Sequence, residues 1–104
     1  MAQIVWTEPA LADLDAIADY IAIESPVAAA ALVQRVLQRV EQLACHPDSG
    51  PRVPELPDGR YRQLIEPPCR IVYRHDAMAE TVHVLHAVRT ERLLRGVLTA
   101  TAVG

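Results

Sequence analysis

Apolar residues recur at helical spacing in the first part of the chain. The stripe consists of Leu11, Leu14, Ile17, Ala18 and Ile21. Asp13, Asp15 and Asp19 lie mostly off it, so the pattern predicts a helix with one core face and one acidic, solvated face. A short β-type run, QIVWT, precedes this helix. Thr7 and Pro9 suit its first turn, where threonine caps and proline is tolerated.

A second and longer helical stripe follows after a short break. Ser25 can cap this helix and Pro26 can take its first position. The apolar face is formed by Leu32, Val33, Val36, Val40 and Leu43. Pro47 ends the helix soon after His46. Because the break is short, the two helices are expected to pack antiparallel.

Alternation with a period of two replaces helical spacing after residue 59. The segment PDSGPRVPELPDG reads as an ordered crossing loop. The run of residues 60–76, which turns at its double proline, predicts two strands, and residues 81–89 predict a third. TERLLRGVL from Thr90 predicts a brief helix before a frayed tail. The order β, α, α, β, β, β predicts a single α+β domain over residues 1–104, in which the helix pair covers one side of the sheet.

The predicted hairpin carries four arginines at positions 60, 62, 70 and 74. With an odd loop around Glu66, Pro67 and Pro68, Ile65 would pair with Cys69, and alternation would put all four arginines on one face with Leu64 and Val72. An even loop would mix polar and apolar residues on both faces, so the odd loop is preferred. The alternative to a binding role for this face is a solvated surface, balanced by acids such as Glu55, Asp58 and Glu66.

Charge and composition narrow the function classes. The chain of 104 residues is 51% hydrophobic and has a net charge of −3, which argues against a generic nucleic-acid coat. All ten basic residues are arginine, which suits bidentate contacts to carboxylates and phosphates. The longest apolar run, residues 27–33, is too short to cross a bilayer, and no signal pattern is visible. We therefore expect a soluble cytosolic protein without a membrane partner.

Few residues suggest catalysis or metal binding. His83 and His86 are three apart on a predicted strand, so they are expected on opposite faces and unable to share a metal. Cys45 and Cys69 are expected to be buried free thiols. No Walker loop, nucleophile elbow or zinc spacing is present, so neither a cofactor nor a metal is predicted.

Four motifs in this order resemble one known superfamily. They are WTEPA at residues 6–10, PDSGPRVPEL at 47–56, RIVY at 70–73 and VHVLHAVR at 82–89. Together they are similar to the RelE/ParE toxins, most of all to ParE, over residues 4–95. The resemblance implies an N-terminal strand, a helical hairpin on a curved antiparallel sheet and a short C-terminal helix. It also implies a type II toxin encoded beside a small antitoxin.

Members of this superfamily differ in what they act on. RelE-like toxins cut messenger RNA on the ribosome, whereas ParE-like toxins inhibit DNA gyrase. Arg70 and Arg89 match positions where RelE-like nucleases carry phosphate-binding arginines. However, Tyr61 and Gln63 stand where those nucleases carry lysines, and Arg95 stands in place of their C-terminal tyrosine. The resemblance therefore implies a gyrase inhibitor that has no catalytic residues, with an RNA-cleaving toxin or an inert partner domain as alternatives.

The resemblance and the arginine pattern together predict two binding surfaces. A ParD-like antitoxin is expected to contact Arg60, Arg62, Leu64, Arg70, Val72 and Arg74, a mixed cationic and apolar set that suits an acidic segment folding on binding. DNA gyrase is expected to contact Arg89, Arg92 and Arg95 with the tail. No direct, sequence-specific DNA binding by this chain alone is expected.

Overall fold

The computed structural model of the chain describes residues 1–56 and 59–90. This part contains four strands and two helices: β1 (Gln3–Trp6), α1 (Glu8–Ala22), α2 (Pro26–Glu41), β2 (Tyr61–Glu66), β3 (Cys69–Asp76) and β4 (Thr81–Arg89). The helix predicted from Thr90 falls, apart from Thr90 itself, on residues outside the described part. Within the described residues, neither helix is both long and apolar enough to span a membrane.

The two predicted helix starts are confirmed by their caps. The Thr7 hydroxyl accepts a hydrogen bond from the Ala10 amide at 3.3 Å, and the Ser25 hydroxyl accepts one from the Ala28 amide at 3.1 Å. A 3-10 turn over Gln42–Ala44 follows α2 and ends before Pro47. The predicted apolar face of α1 is only partly right, because Leu11 is exposed.

The sheet has the strand order β1, β4, β3, β2. β1 runs parallel to β4, and the other two pairs are antiparallel, so the sheet is mixed and the expected antiparallel sheet needs this correction. A parallel pair requires a long connection. Here the connection from β1 to β4 contains both helices, the loop after them and the β2–β3 hairpin, which is long enough for a parallel pair.

The main core lies between the helices and one face of the sheet. It contains Leu32, Val36 and Val40 of α2 packed against sheet residues such as Ile71 and Val84. A second, smaller cluster lies on the opposite face of the sheet. It is formed by Val53, Val72 and Val88, with Leu56 and Tyr61 packed against it. Residues 49–56 therefore cover the outer face of the sheet, and β3 is buried from both sides.

The register of the β2–β3 hairpin differs from the prediction. Glu66 pairs with Cys69 and Ile65 with Arg70, so the loop consists of two residues, Pro67 and Pro68, joined by a cis peptide bond. The expected odd loop is wrong because Glu66 stays in the strand ladder. A shift of one residue moves every side chain of a strand to the other face, so the predicted faces are wrong as well.

β4 contains an irregularity that the sequence pattern did not reveal. Val72 pairs with His86 but Tyr73 pairs with Val84, so Leu85 is an extra residue in β4. Such a bulge breaks strict alternation. The expectation that His83 and His86 lie on opposite faces rested on that alternation and is wrong. His83 pairs with Arg74 and His86 with Val72, and both partners lie on the outer face of the sheet.

Candidate functional site

Arg70 lies on the outer face of the sheet under the loop of residues 49–56. Its Nη1 and Nη2 atoms each donate to a carboxylate oxygen of Glu55 at 2.8 Å. Nε and Nη2 also donate to the Gln63 amide oxygen at 3.1 and 2.8 Å. The Arg70 side chain is only 9% exposed. This bidentate pair joins the loop to the sheet, so Arg70 is a buried structural residue and the prediction of an exposed binding residue is wrong.

Leu64 and Val72 are also buried, on opposite faces of the sheet. Leu64 belongs to the core under the helices, and Val72 belongs to the smaller cluster under the loop. The predicted common face of six residues does not exist, because the two-residue turn separates Arg62 and Leu64 from Arg70, Val72 and Arg74. Three of the six predicted antitoxin contacts, Leu64, Arg70 and Val72, are thus inaccessible in this structure.

The other three predicted contacts, Arg60, Arg62 and Arg74, line one concave pocket of about 190 Å³. This arginine pocket, as we name it, is completed by Asp48, Gly59 and His75. It lies at the end of the hairpin remote from Pro67 and Pro68. Sequence reasoning missed Asp48 and His75 as members, and only the position of His75 next to Arg74 could have suggested one of them.

The side chains of the arginine pocket are held by specific contacts. Arg62 donates from Nη1 to the Gly50 carbonyl at 2.9 Å, and its Nε lies 3.6 Å from Asp48 Oδ1. His75 Nδ1 is 3.0 Å from the same oxygen. The Arg60 guanidinium lies over the Tyr61 ring at 5.9 Å from its centroid. The pocket therefore has ordered cationic walls.

A second concave feature lies between α1 and the end of β4. This α1 groove has a volume of about 330 Å³ and is lined mainly by Ile17, Tyr20, Ile21, Pro68 and Arg89. The Arg89 guanidinium lies over the Tyr20 ring, 5.0 Å from its centroid, a favourable cation–π distance. Tyr20 is 61% exposed. The other two predicted target contacts, at positions 92 and 95, fall outside the described residues.

Asp13 fastens α1 to β4 beside this groove. Its Oδ2 atom accepts a hydrogen bond from the Ala87 amide at 3.2 Å and lies 2.9 Å from His86 Nδ1. β1 pairs with β4 only as far as Val84, so Asp13 reaches the strand where that edge has no β1 partner. The expectation of a purely solvated acidic helix face is wrong for Asp13.

The buried titratable groups of the core are kept in their neutral forms. Burial raises the pKa of the Cys69 thiol, although Arg35 and Arg89 partly oppose this. Burial also raises the pKa of the Tyr73 hydroxyl, although that oxygen accepts a hydrogen bond from the Gly50 amide at 3.0 Å. Because a nucleophilic cysteine needs a lowered pKa, Cys69 is inert. Cys45, contrary to expectation, is exposed.

The fold and sequence match a known family. Residues 4–93 match the family model described as the ParE toxin of the type II toxin–antitoxin system parDE. The chain belongs to the ParE toxin family. Its place in the RelE/ParE superfamily, expected from the motifs, is confirmed, and a toxin of this type implies an antitoxin partner.

Two curated relatives are named as toxins, one of them as a RelE toxin. Toxin RelE2 of Caulobacter vibrioides is 38% identical over 91 residues, covering 86% of this chain and 99% of that protein. Putative toxin Y4kP of Sinorhizobium fredii is 39% identical over 85 residues, covering 82% of this chain and 88% of that protein. The chain thus spans nearly the full length of both relatives.

Two solved structures share the fold. A chain of the chromosomal ParDE system from P. aeruginosa is 30% identical with a TM-score of 0.71, covering 88% of this ParE family member and 98% of that chain. The isolated E. coli RelE toxin matches with a TM-score of 0.62 over the full length of both chains, at 11% identity. The expected α+β fold, with an N-terminal strand and a helical hairpin on a sheet, is confirmed.

Proposed function

We propose that this toxin inhibits DNA gyrase by binding it and is neutralised by a ParD-like antitoxin. The observation that carries the proposal is the bidentate pair between Arg70 and Glu55, with Gln63 as a further acceptor. Arg70 is one of two arginines at positions matching phosphate-binding residues of RelE-like nucleases. Here its donors are directed at protein groups instead of at a scissile phosphate.

The free energies of ion pairing and of transition-state stabilisation also disfavour RNA cleavage. Separating a buried arginine from its carboxylate costs about 3–5 kcal/mol. One preorganised donor to a transition-state oxyanion stabilises it by about 2.7–4 kcal/mol. The free energy needed to separate Arg70 from Glu55 would therefore cancel the stabilisation that Arg70 gains by binding a phosphate. The neighbouring Gln63 amide cannot exchange a proton as an acid or base, and arginine holds its protons too firmly to act as one.

Binding of a protein target is supported by the α1 groove. It offers apolar walls, an exposed tyrosine and the guanidinium of Arg89 in one place, and tyrosine with arginine is a typical combination at protein interfaces. We place the gyrase contact here, around Arg89. An antitoxin segment that occupies the same groove would neutralise the toxin by excluding gyrase. The antitoxin contacts predicted at Arg60, Arg62 and Arg74 remain a prediction.

The test uses the purified full-length chain in two assays, DNA supercoiling by gyrase and cleavage of messenger RNA on translating ribosomes. We expect loss of supercoiling with intact RNA. Arg89→Ala is expected to weaken inhibition about tenfold or more, the usual cost of losing an interface arginine. Arg35→Ala is the matched control, since Arg35 lies on α2 with its side chain 48% exposed.

Two other results are informative. Codon-positioned RNA cuts with unaffected gyrase would overturn the proposal in favour of a RelE-like nuclease. A folded chain inactive in both assays that still binds its antitoxin would indicate an inert partner domain. Equal effects of Arg89→Ala and Arg35→Ala on supercoiling would contradict the placement of the contact in the α1 groove.

A further inference from the structure

The edge of the sheet formed by β2 is only partly covered by other backbone. On the side away from β3, the Val53 amide donates to the Tyr61 carbonyl at 3.0 Å. On the same side, the Gln63 amide donates to the Pro51 carbonyl at 2.9 Å. Because the backbone groups of alternate residues in an antiparallel strand point to the same side, the N–H and C=O groups of Ile65 point to this edge as well.

Ile65 lies beyond the part of β2 with which the loop pairs. The loop bridges β2 between Arg52 and Arg62 and bends at Gly50. Within the described residues, no backbone group bonds to the Ile65 amide or carbonyl on the edge side, and Ile65 is 40% exposed. An open donor and acceptor on an edge strand form a template for pairing with another chain.

The open backbone groups select a peptide as the ligand. A partner that satisfies both groups of Ile65 must donate one hydrogen bond and accept another, as an extended peptide does. A free carboxylate only accepts hydrogen bonds, so it would leave the Ile65 carbonyl without a donor. The edge therefore favours a strand from another protein over a small anion.

A cleft of about 350 Å³ opens beside Ile65. Its polar lining includes the guanidinium of Arg39, the amide of Gln42 and the hydroxyl of Ser49, all of which can donate hydrogen bonds. None of its described lining residues is acidic. This β2 cleft, as we name it, therefore offers hydrogen-bond donors next to the open backbone groups.

Arg39 brings an incompletely neutralised positive charge to the β2 cleft. Arg35 Nε lies 3.0 Å from Glu66 Oε1, and Arg39 Nη1 lies 3.4 Å from Glu66 Oε2. One carboxylate thus faces two guanidinium groups, and these three side chains together keep a net positive charge. The Arg39 side chain is 42% exposed and has further N–H groups in its fork. A carboxylate from a partner would complement this charge.

We propose that the β2 cleft binds an extended, acidic segment of the antitoxin, which adds a strand at Ile65 and places a carboxylate beside Arg39. This inference rests on the proposed function, because it takes the antitoxin as the partner. The backbone bonds contribute affinity and the pocket beside them selects the side chain. The β2 cleft shares no described lining residue with the α1 groove, so the strand is a contact additional to the one in the groove.

The first experiment compares amide hydrogen exchange of the isotope-labelled full-length toxin, alone and in complex with its co-expressed antitoxin. Exchange of the Ile65 amide should slow by about tenfold or more in the complex, because the amide gains an acceptor. The internal control is Ile4 on β1. The Gln3 amide donates to the Glu80 carbonyl on the β4 side, so the Ile4 amide faces the opposite edge of the sheet, and its exchange should change less.

The second experiment removes the open donor itself. Ile65→Pro deletes an amide that points away from the β2–β3 ladder, a position where an edge strand tolerates proline. It should weaken antitoxin binding about tenfold, the effect of losing one hydrogen bond. Ile65→Val keeps the amide and should stay within about twofold of the unmodified chain. Calorimetric titration measures the affinities, and circular dichroism checks that each variant is folded.

The third experiment tests the carboxylate contact with two arginines that share one ion-pair partner. Arg39→Gln should weaken antitoxin binding about tenfold or more, because a charge-assisted hydrogen bond is lost. The loss should shrink at high salt, because salt screens exposed charges. Arg35→Gln removes the same charge beside the same Glu66, but Arg35 is not among the described lining residues. Its effect should stay within about twofold.

Each outcome has a defined meaning. Protection of Ile65 with selective losses in Ile65→Pro and Arg39→Gln supports the proposal. Unchanged exchange at Ile65 in a formed complex overturns it, and so does protection of Ile4 without Ile65, which would place the strand at the β1 edge. Equal losses by Arg39→Gln and Arg35→Gln overturn the carboxylate contact. If the unmodified chain forms no complex with the antitoxin, the proposed neutralisation fails together with this site.

Discussion

Arg70 differs from the other hairpin arginines because its charge is enclosed by the protein. Replacing it with alanine leaves the partly buried Glu55 carboxylate without its bidentate partner. We expect Arg70→Ala to lower the free energy of unfolding by about 3 kcal/mol. Arg74→Ala on the same strand is the control, with an expected loss below about 1 kcal/mol. Urea unfolding measures both, and equal losses would contradict the structural role of Arg70.

Tyr73 links the stability of the protein to alkaline pH. Burial raises the pKa of its hydroxyl in the folded state. The neutral form is therefore favoured by folding: this contribution is complete below the ordinary tyrosine pKa of about 10 and is lost as pH rises through the folded-state value. Tyr73→Phe removes this titration. The variant should lose about 1–2 kcal/mol at neutral pH, because the Gly50 amide loses its acceptor.

The measurement for Tyr73 is urea unfolding at neutral pH and at several values above about pH 10. The difference in unfolding free energy between the unmodified chain and Tyr73→Phe should shrink as pH rises. The pKa of Cys69 is raised too, but both proteins contain this residue, so its contribution cancels in the comparison. A difference that stays constant with pH would show that Tyr73 does not titrate with folding in this way.

At the scale of elements, the loop of residues 49–56 depends on a close approach at Gly50. A Cβ atom there would lie 2.5 Å from the Gln63 carbonyl oxygen and 2.7 Å from the Tyr73 hydroxyl. Because a backbone oxygen cannot yield cheaply, Gly50→Ala should push the loop away from β2. We expect a loss of about 1–3 kcal/mol in unfolding free energy.

Ser49→Ala is the control for Gly50→Ala, since Ser49 is exposed in the same loop and its loss should stay within about 0.5 kcal/mol. Hydrogen exchange of the Gln63 amide, which donates to the Pro51 carbonyl at 2.9 Å, reports the loop directly. It should accelerate in Gly50→Ala. Unchanged exchange together with unchanged stability would contradict the close approach.

At the scale of the whole molecule, the antitoxin should act as a stabilising ligand. A partner that binds only the folded toxin raises its unfolding free energy by about 4 kcal/mol when present at about 1,000 times its dissociation constant. Thermal melting of the full chain, alone and co-expressed with its antitoxin, measures this effect. We expect a clear upward shift of the midpoint, and an unchanged midpoint would contradict a tight complex.

The placement of the antitoxin in the α1 groove is tested by the same melting experiment. Tyr20→Ala should reduce the shift, because Tyr20 is exposed and lines the groove. Ile23→Ala is a matched control, since Ile23 is 81% exposed near the end of α1 and is not among the residues that line the groove. Equal reductions by both variants would place the antitoxin elsewhere.

The sequence by itself determined the elements of this ParE family member. Local patterns predicted the caps at Thr7 and Ser25. They also predicted the bounds of β2, β3 and β4 to within about a residue. Capping and periodicity act between residues a few positions apart, so a linear pattern contains them. The superfamily was also identifiable, because its motifs follow these same elements.

Only the tertiary structure decided which side chains form the candidate sites. The two-residue turn at Pro67 and Pro68 set the register, and thereby turned Arg62 and Arg74 to different faces of the hairpin. Arg70 is buried by Glu55, fifteen residues away in sequence, and Asp48 joins the arginine pocket from a loop. These contacts depend on how a loop without periodicity folds back over the sheet. No local pattern encodes that path, because its energy comes from packing and ion pairing between distant parts of the chain.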